Sequence, residues 1–95
     1  MKIAIVTGAS KGLGRAIATG LAAEGYGLAL AARDQTALEE TAAACRLAGA
    51  LDTLVIPSDL SKADAPAQVV AAVLQAFGRL DVLVNNAGAT KPADV

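Results

Sequence analysis

The sequence lacks histidine and tryptophan and contains a single cysteine, Cys45. Without histidine, the chain has neither the commonest metal ligand nor the commonest general base of enzymes. One cysteine cannot form an internal disulfide and cannot supply a cluster of sulfur ligands. We therefore predict no metal site. We interpret Cys45, which lies among alanines in a predicted helix, as a small buried side chain.

Aromatic residues, basic clusters and long apolar runs are also scarce. Tyr26 and Phe77 are the only aromatic residues, too few for a stacking platform for nucleobases. The net charge is −1 and the eight Lys and Arg residues are scattered, which argues against a nucleic-acid-binding face. No apolar run approaches the ~20 residues of a membrane span, and the first run, which ends at Val6, is shorter than the ~7–15 residues of a signal-peptide core. We expect a cytoplasmic protein with no nucleic-acid or membrane partner.

Apolar residues, in contrast, make up 55% of the 95 positions. This composition and length predict one small folded domain rather than a disordered chain. Four apolar runs alternate with three helical patterns, and we predict strands at 2–7, 27–32, 52–57 and 81–85. Nearly continuous apolar strands that alternate with helices pair in parallel, and right-handed crossovers restrict their order. The sequence therefore predicts a doubly wound α/β fold with strand order 3-2-1-4.

The three helices are predicted from apolar spacing and from residues that begin or end helices. The first covers 15–24, the second runs from a cap at Asp34 to Gly49, and the third runs from near Asp64 to Gly78. The predicted buried face of the first helix consists of Leu13, Ala16, Ile17, Gly20 and Leu21. The predicted buried face of the third consists of Val69, Val70, Val73, Leu74 and Phe77.

A glycine-rich turn, residues 7–14 with the sequence TGASKGLG, joins the first strand to the first helix. Its glycines, Gly8, Gly12 and Gly14, have the spacing G-x3-G-x-G, which differs from the common G-x-G-x-x-G fingerprint and contains no G-K-[ST]. Glycine lets the backbone approach a ligand closely, and the free amides and dipole of the following helix favour a pyrophosphate. On the turn alone, a tight turn without a ligand remains an alternative.

The ends of the other strands carry polar residues, and in a parallel sheet these ends meet at one edge. Arg33 follows the second strand where an NAD-preferring site usually has a carboxylate, about 20 residues beyond the turn. Its guanidinium and Lys11 suit a 2′-phosphate, which favours NADP over NAD, although Arg33 alone could be a solvated surface charge. Asp59 and Leu60 follow the third strand and could bind an adenine, or Asp59 could be a turn residue. Asn85-Asn86-Ala87-Gly88 follows the fourth strand and either holds a neighbouring strand end or a ribose, or forms a simple turn.

Together these motifs resemble the short-chain dehydrogenase/reductase family, most of all its 3-oxoacyl-(acyl carrier protein) reductase-like members. The resemblance covers the whole chain and implies a Rossmann-type fold and an NADP-dependent oxidoreductase that moves hydride between NADPH and a small carbonyl or alcohol substrate. It implies that the cofactor is contacted by Gly8, Ser10, Lys11, Gly12, Leu13, Gly14, Arg33, Asp59, Leu60, Asn86, Ala87 and Gly88. Asn85 would steady the central sheet, and the parent protein is expected to be a homo-oligomer.

The family's catalytic Ser and Tyr-x-x-x-Lys motif have no counterpart in this chain, because its only tyrosine, Tyr26, is followed four positions later by Leu30. We therefore predict no catalytic residue within the chain. We interpret residues 1–95 as the N-terminal dinucleotide-binding part of one Rossmann-type domain, truncated after the fourth strand. One alternative is a stand-alone NADP-binding half-domain that acts as a sensor or subunit without catalysis. Another is a remnant with no activity.

Overall fold

The computed structural model describes residues 1–86, which form a four-stranded parallel sheet and three helices. The strands are β1 (Ile3–Thr7), β2 (Gly27–Ala32), β3 (Thr53–Pro57) and β4 (Val82–Val84). The helices are α1 (Gly12–Ala23), α2 (Gln35–Ala48) and α3 (Ala65–Phe77). The strand order is β3-β2-β1-β4, and all three strand pairs are parallel. The predicted doubly wound α/β fold and its strand order are confirmed.

The two central strands explain why the strand pattern could be read from the sequence. Every residue of β1 and β2 is buried, and the strands pair in register from Ile3 opposite Gly27 to Thr7 opposite Ala31. A parallel strand covered on both faces needs apolar residues at nearly every position. The predicted bounds of β2 match the structure, whereas β4 is one residue shorter at each end than the predicted 81–85.

The sheet separates two hydrophobic cores, because successive residues of a strand point to opposite faces. On one face Leu28 and Leu30 pack with α1 and α2, where Leu38 and Cys45 are fully buried. The interpretation of Cys45 as a buried side chain is therefore confirmed. On the other face, the second core contains β1 and β2 residues of the opposite parity together with α3. Its members include Ile3, Ile5, Ala29, Ala31, Val69 and Val73.

The predicted buried face of α1 is wrong in its main part. The fully covered positions are Gly14, Ala18 and Ala22, whereas Leu13 is 60% exposed. Ala16 and Gly20, also placed on the buried face, are exposed as well. The last two residues of that predicted face, at 17 and 21, are partly buried at the edge of the core. The side of α1 that packs on the sheet is therefore made of small residues, with Ala18 and Ala22 fully buried in the core.

The predicted face of α3 is largely correct. Val69 and Val73 are buried, and Val70 and Phe77 pack partly buried against the same core. Leu74, which was also predicted to be buried, is the exception, since it is 47% exposed. It lies at the side of the stripe, where no described element covers it.

The helix ends follow their predicted signals, and Asp34 and Asp64 both occupy the N-cap position of their helices. The Asp34 carboxylate accepts a hydrogen bond from the Ala37 N–H at 3.0 Å, which is a regular N-cap. Gly49 and Gly78 end their helices with φ of 126° and 75°. The Asp64 side chain does not cap a backbone amide of α3, and it accepts a hydrogen bond from the Gln68 side chain instead.

Among residues 1–86, no helix combines the length and apolar character needed to span a membrane.

Candidate functional site

The glycine-rich turn lies at the carboxyl edge of the sheet and is tied to the neighbouring strand. The N–H groups of Gly8 and Ala9 donate to the Ala31 carbonyl at the end of β2, at 2.8 and 3.4 Å. Gly8 has a φ of 65° and Gly12 a φ of 58°, a region of backbone conformation that favours glycine. The first residues of the turn therefore continue the sheet, and the chain then reverses into α1.

Helix α1 begins at Gly12, three residues earlier than the predicted start at 15, so the last two glycines of the turn are helical. Its N-cap, Lys11, makes no side-chain capping bond, and the first bond that closes the helix runs from the Arg15 N–H to the Lys11 carbonyl. No hydrogen bond joins the amides of residues 10–14 to any other group within residues 1–86. N–H groups without a partner in this part of the chain, at the positive end of a helix dipole, are suited to bind an anion such as phosphate.

Gly14 allows this close approach of helix and turn. A Cβ at this position would lie 2.0 Å from the Gly8 carbonyl oxygen and 2.9 Å from Asn86 Nδ2. No side-chain carbon is tolerated at such a distance from a backbone oxygen. Gly14 is buried beneath the turn, so its role is to set the distance between α1 and the turn rather than to face the cavity.

The two asparagines after β4 fasten its end to the end of β1. The Asn86 N–H donates to Thr7 Oγ1 at 2.9 Å, and Thr7 Oγ1 lies 3.2 Å from Asn85 Oδ1. The Asn86 side chain donates to the Gly8 carbonyl at 3.3 Å. The prediction that these residues hold a neighbouring strand end is confirmed. Ala87 and Gly88, predicted to contact a ribose, lie outside the described residues.

A cavity of about 990 Å³ opens at this edge, between the ends of all four strands. Among the predicted site residues that the structure describes, every one except Gly14 lines it. These are Gly8, Ser10, Lys11, Gly12, Leu13, Arg33, Asp59, Leu60 and Asn86. The structure thus brings together residues that are far apart in the sequence.

One wall of the cavity was missed at the sequence level. Pro66, Val69 and Val70, from the first turns of α3, line it beside Leu60. We placed both valines in the buried stripe of the helix and gave them no part in the site. The available signal was topology, since α3 starts soon after β3 ends and its first turns must lie near the carboxyl edge.

Asp59 is held by its own loop. Its Oδ1 accepts from the Ser61 hydroxyl at 2.6 Å and from the Ser61 N–H at 3.1 Å. These two hydrogen bonds lower the pKa of Asp59, and the positive charges of Arg33 and Lys62 lower it further. No described residue donates to Oδ2, so the ionised carboxylate keeps one oxygen that can accept a hydrogen bond from a ligand.

Two basic side chains at the cavity are likewise uncommitted. Within residues 1–86, neither Lys11 nor Arg33 forms an ion pair or a side-chain hydrogen bond. Asp34, next to Arg33, uses its carboxylate to cap α2. Both cations are therefore available to an anionic ligand.

The described part of the chain contains no group of three or more His, Cys, Asp or Glu side chains that could hold a metal ion.

Comparison with known proteins gives a consistent set of matches. The family model for short chain dehydrogenases matches residues 2–95. The 11-beta-hydroxysteroid dehydrogenase A of Sesamum indicum is 45% identical over 87 residues, which are 92% of this chain and 25% of that protein. The 3-oxoacyl-(acyl-carrier-protein) reductase FabG of Staphylococcus epidermidis is 40% identical over 90 residues, which are 95% of this chain and 37% of that protein. The chain therefore spans only about a quarter to a little over a third of the length of these relatives.

Solved structures match over the same region. L-sorbose reductase from Gluconobacter frateurii, complexed with NADPH and L-sorbose, matches with a TM-score of 0.85 and 39% identity, covering 92% of this chain and 33% of that one. Another matched structure contains bound NAD⁺.

Proposed function

Because this chain belongs to the short-chain dehydrogenase family, as its motifs predict, we propose that it is the cofactor-binding part of an NADP-dependent oxidoreductase. The reaction is hydride transfer between the nicotinamide and a small carbonyl or alcohol substrate. A bound nicotinamide supplies the hydride chemistry, and the chain described here supplies binding and orientation. Acid–base catalysis is assigned to a Ser and a Tyr-x-x-x-Lys motif outside these 95 residues. A cytoplasmic location and a homo-oligomeric parent protein are further parts of this proposal.

The observation that carries the proposal is the row of amides at residues 10–14 that have no hydrogen-bond partner among residues 1–86. These N–H groups surround the start of α1, where the helix dipole adds a positive potential. A pyrophosphate offers several acceptor oxygens and negative charge within one helical turn. The site therefore fits the central part of a dinucleotide, and its cavity volume lies within the ~300–1,000 Å³ range of small-molecule sites.

The choice of NADP over NAD rests on Lys11 and Arg33. Both cations line the cavity and form no ion pair within residues 1–86, and position 32, where a carboxylate would repel a 2′-phosphate, is Ala32. Guanidinium and phosphate form short charge-assisted hydrogen bonds, often in pairs. Relatives with either cofactor are known, one structure with NADPH and one with NAD⁺, so the preference has to be measured.

The adenine is assigned to the wall formed by Asp59, Leu60 and the start of α3. Asp59 Oδ2 can accept from an exocyclic amino group, while Leu60, Pro66 and Val70 offer apolar contact to the ring. The hydrogen bonds from Ser61 keep the carboxylate ionised and in place.

The test is to replace Arg33 in the full-length protein and measure dissociation constants for NADPH and NADH. Hydrogen bonds to charged groups contribute about 1.5–3 kcal/mol each, so Arg33→Asp should weaken NADPH binding by roughly 10- to 100-fold. NADH binding should change little, because NADH has no 2′-phosphate. Lys62→Asp is the matched control, since it changes the net charge equally but Lys62 does not line the cavity. Equal relative affinities for the two cofactors before and after Arg33→Asp would overturn the NADP assignment.

A further inference from the structure

Thr41 is a fully buried polar residue in the apolar face of α2. Its hydroxyl oxygen lies 2.9 Å from the Ala9 carbonyl, 3.5 Å from the Ser10 carbonyl and 3.2 Å from the Ala37 carbonyl in its own helix. A hydroxyl has one hydrogen to donate, and the shortest of these contacts leads to the glycine-rich turn. The proposed function assigns no part to Thr41.

Arg15, in the first turns of α1, joins the same contact from the other side. Its Nε donates to Thr41 Oγ1 at 2.8 Å, and its Nη2 donates to the Ser10 carbonyl at 2.6 Å. Nη2 also lies 3.2 Å from the Ala37 carbonyl and 3.5 Å from the Glu40 carboxylate. One guanidinium therefore connects the turn, α1 and α2.

These contacts orient the peptide groups of the turn. A carbonyl and the following N–H belong to one planar trans peptide unit and point in opposite directions. When the Ala9 and Ser10 carbonyls are held towards Thr41 and Arg15, the N–H groups of Ser10 and Lys11 must point the other way. These two amides are the first of the row that has no partner among residues 1–86.

We propose that Arg15 and Thr41 are positioning residues for cofactor binding. They hold the Ala9 and Ser10 carbonyls against α2, and thereby aim the Ser10 and Lys11 amides at the pyrophosphate. The inference rests on the proposed function, because it needs a dinucleotide at the turn. A positioning role can be distinguished from a general structural role. Loss of positioning should weaken only ligands that have a pyrophosphate, because only these depend on the orientation of the Ser10 and Lys11 amides.

The experiment uses the full-length protein and titrates NADPH and NADH by cofactor fluorescence. Thr41→Val keeps the size of the side chain and removes the hydroxyl, and it should weaken binding of both cofactors by the same factor, about tenfold. Thr41→Ser restores the hydroxyl and should bind as the wild type does. Arg15→Met should also weaken both cofactors. This differs from Arg33→Asp, which is expected to act on NADPH alone.

Two controls separate positioning from general damage. Thr19→Val removes a hydroxyl that bonds only within α1, to the Arg15 and Ala16 carbonyls, and should leave cofactor binding unchanged. Adenosine 2′-monophosphate, which has no pyrophosphate, should compete equally well in wild type and Thr41→Val. Thermal unfolding will show whether each variant is folded. Arg15→Met, which replaces a side chain that is 35% exposed, carries the test if Thr41→Val does not fold.

The outcomes distinguish the two proposals. If the wild type binds neither NADPH nor NADH, the proposed function fails and this inference fails with it. If the wild type binds NADPH and both Thr41→Val and Arg15→Met bind it equally well, only the positioning role is overturned. A parallel loss of adenosine 2′-monophosphate binding would also overturn it, in favour of a general structural role.

Discussion

Replacing Gly14 by alanine should destabilise the protein and remove cofactor binding together. The added Cβ would lie 2.0 Å from the Gly8 carbonyl oxygen, whereas real Cβ contacts essentially never fall below 3.0 Å. The turn and α1 must therefore separate by about 1 Å or more. Neither side yields easily, because the turn is bonded to β2 and the helix is packed against the sheet. Inserting a methyl group into such a contact typically costs about 1–3 kcal/mol, and we expect the upper end of that range.

Gly20→Ala on the same helix is the matched control. No heavy atom lies within 4 Å of a Cβ at Gly20, and the residue is exposed within regular helix. Alanine there should stabilise the protein by about 0.5–1 kcal/mol, because glycine is a poor helix former. The same glycine-to-alanine substitution is thus expected to lower the stability at position 14 and to raise it at position 20 of the same helix.

The assay is urea unfolding of the full-length protein followed by circular dichroism, with NADPH titration of each variant. Gly14→Ala should lower the unfolding midpoint and weaken NADPH binding by at least tenfold, because the amides of residues 12–14 move with the helix away from those of residues 10 and 11. Gly20→Ala should raise the midpoint and leave binding unchanged. If Gly14→Ala unfolds at the wild-type midpoint and binds NADPH normally, the turn and α1 do not pack too closely for a side chain at position 14, and the reasoning is refuted. A lowered midpoint for Gly20→Ala would contradict the placement of that residue on the exposed helix surface.

Two further predictions concern stability away from the turn. Asp34→Ala should lower the free energy of unfolding by about 1 kcal/mol, because it removes the N-cap of α2. Asp64→Ala should lower it by less, because the Asp64 carboxylate accepts a hydrogen bond only from the Gln68 side chain. Equal losses of stability in urea unfolding would contradict this difference. The hydrogen bonds to Asp81 from the Arg79 guanidinium and then from a β1 backbone N–H lower the Asp81 pKa from 3.8 to about 2. Because the folded-state pKa is the lower one, this carboxylate stabilises the fold above pH 3.8 and the stabilisation is lost as pH falls towards 2. Urea midpoints of wild type and Asp81→Asn should therefore differ near neutral pH and converge in acid, and a gap that stays constant would refute the assignment.

The strand order could be predicted because it depends on features that the sequence displays locally. The run Gly27–Ala32 is apolar at every position, and each strand end carries a recognisable polar group. The face of α1 could not be predicted from apolar spacing. That method gives weight to large side chains such as Leu13, whereas close packing on the sheet selects Ala18 and Ala22. Small residues contribute little to an apolar-spacing pattern. Apolar spacing therefore fails to identify the buried face of a helix that packs on a sheet through small residues.

The positioning contacts were missed for a different reason. Thr41 is one polar residue in an alanine-rich helix, and its partner Arg15 lies 26 positions earlier in the chain. Nothing in either local sequence indicates that the two side chains meet. Asn85 and Asn86 were easier to single out, because two consecutive amides directly follow an apolar strand. Their partners, Thr7 and the Gly8 carbonyl, follow only from the fold, in which Asn85 is exposed and Asn86 half-buried.

The polar groups that the fold leaves unpartnered describe the ligand independently of any relative. Within residues 1–86, the uncommitted groups at the cavity include the amides of residues 10–13, the cations Lys11 and Arg33, and one oxygen of Asp59. The donors and positive charges call for a ligand with more than one anionic group. The Asp59 oxygen, beside the apolar surface of Leu60, calls for a flat apolar group that carries a hydrogen-bond donor. A neutral sugar or steroid lacks the anionic groups, whereas a phosphorylated adenine nucleotide satisfies both demands.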